Sequence, residues 1–208
     1  MKENLDLRTF AIVDNMQPQY AAITGTVSKG DIPLAGMSEL YIELAPGSGV
    51  YELLNVALKA SNAKPAFQIV EREYGEIELH SHSPEDVWQA GEAILQECGL
   101  SVTDRMKPRI VSEQIISNTD AYQAQLINRD SRHGSVLVPG ESVFIMEVEP
   151  AAYISVAVNE AEKNADIKVI TFDPVGRYGR LYVSGTHSEV KSARDAAIAA
   201  IGGMEGRE

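Results

Sequence analysis

The feature that most constrains this chain is a duplication hidden at half its length. Sliding the sequence by 104 residues aligns Gly36 with Gly140, Ser38 with Ser142, Glu43 with Glu147, Pro46 with Pro150 and Asn55 with Asn159. The same offset aligns Ala57 with Ala161, Lys59 with Lys163, Lys64 with Lys168, Tyr74 with Tyr178 and Gly75 with Gly179. Ten identities fall in forty ungapped positions, where unrelated sequences of this composition give about two or three. At the flanks the offset becomes 103, pairing Ile12, Asn15 and Ala21 with Ile115, Asn118 and Ala124, and Val87, Ala90 and Ala93 with Val190, Ala193 and Ala196. One-residue loop changes explain that. The repeat spans nearly all 208 residues and predicts two domains, 1–104 and 105–208, joined near the polar, Pro-terminated stretch Ser101 to Pro108.

The hydrophobic period changes in the same order within each copy. Leu40 to Leu44 is a short apolar run stopped at Ala45-Pro46-Gly47, which predicts a buried strand. Val50, Leu53, Leu54, Ala57 and Leu58 then fall on one helical face, repeated by Ile154, Ala157, Val158 and Ala161. Phe67 to Val70 and Glu76 to Leu79 predict two further strands, with Val169 to Phe172 and Arg180 to Val183 as twins. Pro84-Glu85 and Ser188-Glu189 open a last helix in each copy. Each copy begins with a strand, Leu7 to Val13 or Arg109 to Ile116, and then a helix ending in a Gly-containing loop. The expected fold is α+β, two tandem domains of ferredoxin-like type or a permutation of it.

Composition narrows the function. The net charge is −12, which argues against nucleic acid or an anionic membrane as partner. The first half carries most of it, with six basic and sixteen acidic residues against twelve and fourteen in the second. One cysteine, Cys98, excludes an intramolecular disulfide and a thiolate metal cluster; it reads as a small packing residue. No apolar run approaches the roughly twenty residues of a membrane span, and the first ten residues lack a signal-peptide core, so a cytosolic, soluble protein is expected. No catalytic motif is present, so no catalytic residue is assigned, and no cofactor is implied. Ala45-Pro46-Gly47-Ser48-Gly49 sits between a strand and a helix, where backbone N–H groups hold phosphates, but the second copy has Pro150-Ala151-Ala152 there, which favours a plain turn. His80 and His82 share one side of a strand and lack a third ligand, so no metal is assigned.

The most informative departure from symmetry lies between the two late strands. Val70-Glu71-Arg72-Glu73-Tyr74-Gly75 faces Pro174-Val175-Gly176-Arg177-Tyr178-Gly179: the Tyr-Gly end is kept and a bulky charged tip is exchanged for a small one. Together with Gln17-Pro18-Gln19, Glu43-Leu44-Ala45-Pro46-Gly47, Ala57-Leu58-Lys59-Ala60, Lys107-Pro108-Arg109-Ile110-Val111, Gln123 to Arg129 and Asn159-Glu160-Ala161-Glu162-Lys163, the loop carries a resemblance over almost the full length. The chain resembles the tandem-domain trimeric shell proteins of bacterial microcompartments, in the permuted, carboxysome-type subclass.

That resemblance implies a homotrimer whose six domains mimic a hexagonal tile, often stacked as two trimers, set among hexameric and pentameric shell proteins in a shell inside the cytoplasm. It implies a central opening gated by Glu71 and Arg72, with Val175, Gly176 and Arg177 as the second pore loop, and Lys59 and Lys163 at tile edges. Three Glu71 and three Arg72 then surround one hole, and an Arg72 reaching a neighbour's Glu71 closes it. Small polar metabolites are the expected passengers. The alternatives are a soluble trimeric small-molecule sensor on the same scaffold and an enzyme without a recognised motif.

Overall fold

The computed structural model describes residues 5–130 and 133–208. The first half runs β1 (Asp6–Val13), α1 (Pro18–Val27), β2 (Ser38–Ala45), α2 (Val50–Ala60), β3 (Lys64–Glu71), β4 (Tyr74–Ser81) and α3 (Pro84–Cys98). The second repeats it as β5 (Arg109–Ile116), α4 (Ala121–Asp130), β6 (Ser142–Glu149), α5 (Ile154–Asn164), β7 (Lys168–Asp173), β8 (Gly179–Gly185) and α6 (His187–Gly202). A single 3-10 turn precedes α2 (Gly47–Gly49) and α5 (Ala151–Tyr153). The peptide before Pro46 and before Pro150 is cis.

Each half builds one antiparallel four-stranded sheet, in the order β1-β2-β4-β3 and β5-β6-β8-β7. The order reveals the permutation. β2 and β3 are parallel strands joined through α2 with β4 between them, which is a split β-α-β unit, and moving β1 behind α3 restores β-α-β-β-α-β. The helix α1 is additional to that plan. Caps mark the final helices: the Ser83 side chain accepts from the Asp86 N–H, and Thr186 and Glu189 form a capping box.

One face of the first sheet, with Phe10, Leu40, Ile42, Leu44, Ile77 and Leu79, packs under Val50, Leu53 and Ala57 of α2 and Val87, Ala90 and Ile94 of α3. The opposite face is buried too. Ala11, Val13, Tyr41 and Phe67 pack against Tyr20 and Ile23 of α1, and the cluster continues through Val158 and Phe172 into the core of the second half. As a result seven of the eight residues of β2 are buried, while its twin β6 alternates at its end as a half-exposed strand does. Backbone polar groups follow the apolar contact across the junction. Glu162 accepts from the Gln19 and Tyr20 N–H groups at 2.8 and 2.9 Å, Asn159 accepts from the Gln17 N–H at 2.9 Å, and Gln19 Oε1 accepts from the Val169 N–H at 2.9 Å.

Candidate functional site: two hairpin loops and the junction beneath them

The β3–β4 hairpin closes on the pair Glu71 and Tyr74, which leaves Arg72 and Glu73 as a two-residue turn. Arg72 has φ +52°, a left-handed conformation that costs a side-chain-bearing residue about 1 kcal/mol. Its Nε lies 3.4 Å from Glu71 Oε1 of the same chain, with the Arg72 side chain 87% exposed. Within one chain the two side chains already meet, because adjacent residues at a tight turn lie side by side. Arg72→Ala and Arg72→Gly both remove the charge, and only alanine keeps the strain. The glycine variant is expected to be the more stable of the two by about 1 kcal/mol in urea unfolding.

The base of this hairpin is clamped to the 3-10 turn. The Gly47 N–H donates to the Glu73 carbonyl at 2.9 Å, and a Cβ on Gly75 would stand 2.2 Å from the Gly47 carbonyl oxygen. Gly179 meets the Ala151 carbonyl in the same way, at 2.1 Å. That close approach explains why the Tyr-Gly end of the loop recurs in both copies. Gly47-Ser48-Gly49 is thus a packing turn. Above it the Arg8 guanidinium covers the Tyr74 ring at 3.9 Å and donates to Glu43 Oε1 at 2.6 Å.

The second loop has a different interior. Val175 N–H donates to Asp173 Oδ1 at 3.0 Å, Gly176 takes φ +100°, and Arg177 stands 3.7 Å from Glu149 and near the Tyr178 ring. A Cβ at Gly176 would touch nothing within 4 Å, so its left-handed backbone and not crowding selects glycine there.

The α1 side of sheet one holds a row of buried polar residues, of which sequence reasoning weighed only His80 as a site residue. Glu39, Glu43, Glu76, Glu78 and His80 are buried on the face of sheet one that meets the second half. Burial raises the Glu39 carboxyl well above its usual range and Glu78 adds to it, while Glu39 accepts a short hydrogen bond from the Tyr20 hydroxyl. His80 Nδ1 lies 3.0 Å from Glu78 and Nε2 3.2 Å from Asp31. Burial alone pulls its imidazole down, but the hydrogen bonds that Glu78 and then Asp31 accept from it outweigh that and leave the pKa raised. Both ring nitrogens are thereby engaged, and His82 is exposed, so the histidine pair does not share a site. The visible signal was the period-two run Glu39-Tyr41-Glu43 and Glu76-Glu78-His80, which reads as a solvent face when the sheet is considered alone.

Lys59 and Lys163 occupy the last turns of α2 and α5, both exposed, with Lys163 3.5 Å from Glu160. Cys98 packs partly buried against the first core. Among the described residues no cluster of three or more His, Cys, Asp or Glu fits a metal ion. No helix of the described residues is long and apolar enough to cross a membrane.

Comparison with known proteins gives a consistent result. The profile of the CsoS1D N-terminal domain family matches residues 7–104. The chain is 43% identical over 204 residues to the carboxysome shell protein CcmP of Synechococcus elongatus, covering 98% of this chain and 95% of that protein. It is 44% identical over 197 residues to the carboxysome shell protein CsoS1D of Hydrogenovibrio crunogenus, covering 95% and 96%. Among solved structures it superposes with a TM-score of 0.94 on a fused permuted hexameric shell protein of the RMM microcompartment, at 40% identity and 98% and 100% coverage. A double-ringed trimeric shell protein of the same microcompartment gives 0.94 at 34% identity, covering 99% and 100%.

Proposed function

The chain belongs to the family of carboxysome shell proteins that includes CcmP and CsoS1D, and from that premise we propose that this structural shell tile works as a three-chain ring with a gated central opening. The single observation that carries the ring is a pair of surfaces left open. Inside the chain, α5 and its preceding turn dock onto the α1 side of sheet one, burying Tyr20, Ile23 and Asn159. Their twins Gln123, Leu126 and Asn55 face solvent, and so do their neighbours: Tyr122 is 78% and Leu126 64% exposed on the α4 side of sheet two, and Tyr51 59% and Leu58 42% on α2. One chain therefore presents both halves of a contact it has already made once internally. Repeating that contact between copies is heterologous, and rotation that closes gives a ring. A ring of duplicated chains treats each domain, 1–104 and 105–208, as one sixth of the tile.

In such a ring the loops at Glu71-Arg72 and at Val175-Gly176-Arg177 alternate around the axis. An exposed Glu–Arg pair contributes about 0–1 kcal/mol, so exchanging Arg72 between its own Glu71 and the opening is cheap. We read the pair as the gate and the second loop as the wider part of the rim, passing small polar metabolites by size and charge with no bond made or broken. Lys59 and Lys163, at matched helix ends, are read as tile-edge contacts to hexameric neighbours, with pentameric shell proteins closing the shell. The double-ringed relative supports stacking of two trimers. The setting is a microcompartment shell in the cytoplasm. That the relatives are shell proteins favours the tile over the soluble sensor and over an enzyme.

The test combines native mass with one variant. A three-chain or six-chain mass is expected for the wild type. Glu71→Ala combined with Arg72→Ala is expected to keep that mass and leave the axis open in a crystal structure. A monomeric wild type, or an axis still occluded in the double variant, removes the reading.

A further inference from the structure

The position that departs most from the repeat at the pore loops is Glu76, the second residue after Tyr74. In the second half its twin is Arg180, exposed and paired with Glu147 at 2.6 Å. In the first half the arginine is replaced by a glutamate that faces Glu43 across the strand pair, so a carboxyl pair stands where the twin has an ion pair. Glu76 is 2% exposed, and neither of its carboxyl oxygens has a hydrogen-bond partner.

The groups around it come from every element packed there. β2 supplies Glu43, and further along Tyr41; β1 supplies Arg8, committed to Glu43; the end of β3 supplies Glu71. The end of β7 supplies Asp173, and the loop after it the Gly176 N–H. That N–H faces the carboxyl without closing a hydrogen bond of good geometry. Burial, then the charges of Glu43 and Asp173, raise the carboxyl well above its usual range, and the Gly176 N–H works the other way.

We infer that Glu76 is a proton-controlled positioning residue for the second pore loop: neutral, it lets residues 173–178 close over it, and ionised, it lifts them. The physical reason is that an ionised Glu76 stands in a dry site among Glu43, Asp173 and Glu71. Hydration is its relief, and the cover able to yield is the loop whose tip, Gly176, has open space on its Cβ side. This rests on the reading of that loop as part of the opening, and it adds what sets the loop's position.

The experiment is amide hydrogen exchange on the intact assembly of wild type and Glu76→Gln, taken as a rate ratio at each pH so that intrinsic exchange cancels. For residues 173–178 the ratio is expected near one at about pH 5 and to rise on the order of tenfold by about pH 9. Asp173→Asn, at an exposed position, removes a facing anion and is expected to move the rise to lower pH. A ratio that stays at one, a rise outside 173–178, or an unmoved midpoint in Asp173→Asn overturns the inference. Failure of the gate reading shows in native mass and in the Glu71/Arg72 double variant, which are separate measurements.

Discussion

Replacing Arg8 by methionine is expected to lower the unfolding free energy by about 3–5 kcal/mol near neutral pH, because it leaves a buried carboxylate without its cation. The Arg8 side chain is 7% exposed and that of Glu43 fully buried, with 2.6 Å between them. Glu43 also accepts from the Ala152 N–H at 3.0 Å, so the pair joins β1, β2 and the turn before α5, while the Arg8 guanidinium roofs Tyr74 at the base of the β3–β4 hairpin. Burial already raises the Glu43 carboxyl, against the pull of Arg8 and Ala152. Without Arg8 it rises further. A carboxyl raised in the folded state makes stability fall as pH climbs above the unfolded value, so the deficit is expected to be larger at pH 8 than at pH 5. Urea unfolding at the two pH values measures it. Adding Glu43→Gln should recover much of the loss, since the amide oxygen still accepts from Ala152 while carrying no charge. Equal losses at both pH values, or no recovery, contradict the account.

The second large effect concerns assembly. Asn159 is buried in the junction, accepting from the Gln17 N–H and donating to the Asn15 carbonyl at 3.2 Å. Its twin Asn55 is exposed on α2 and makes the same contact only if a second copy presents Asn118 and Asp120, the twins of Asn15 and Gln17. Asn55→Arg puts a long charged side chain into that contact and leaves the chain's own core untouched. The expected result is a folded protein by circular dichroism with the 22.6 kDa mass of one chain. A variant that still sediments as three chains would place the closing surface elsewhere.

Much of the fold was written in local patterns. The offset of 104 residues, the helical spacing from Val50 to Leu58 and the turn at Pro46 are consequences of backbone geometry on neighbouring residues, and the elements fell where those patterns put them. The permutation was less legible, because strand order depends on which edges meet and periodicity does not carry that. At the candidate gate the residue types at 71 and 72 were readable, but the left-handed backbone of Arg72 and the closure of the pair within one loop were not, since both arise from the two-residue hairpin turn.

The sequence by itself determined that the chain is a duplicated α+β scaffold whose two copies differ most at one loop and in their charge. Tertiary structure alone decided where that charge goes. Four of the sixteen acidic residues of the first half are buried instead of facing water: Glu39 under Tyr20 of α1, Glu78 against Ala66 and His80, Glu43 at the turn before α5, and Glu76 beside Asp173. A period of two separates one face of a strand from the other, but it does not say what covers each face. Only the packing of α1 and of the turn before α5 against sheet one turned an apparent solvent face into a buried acidic one.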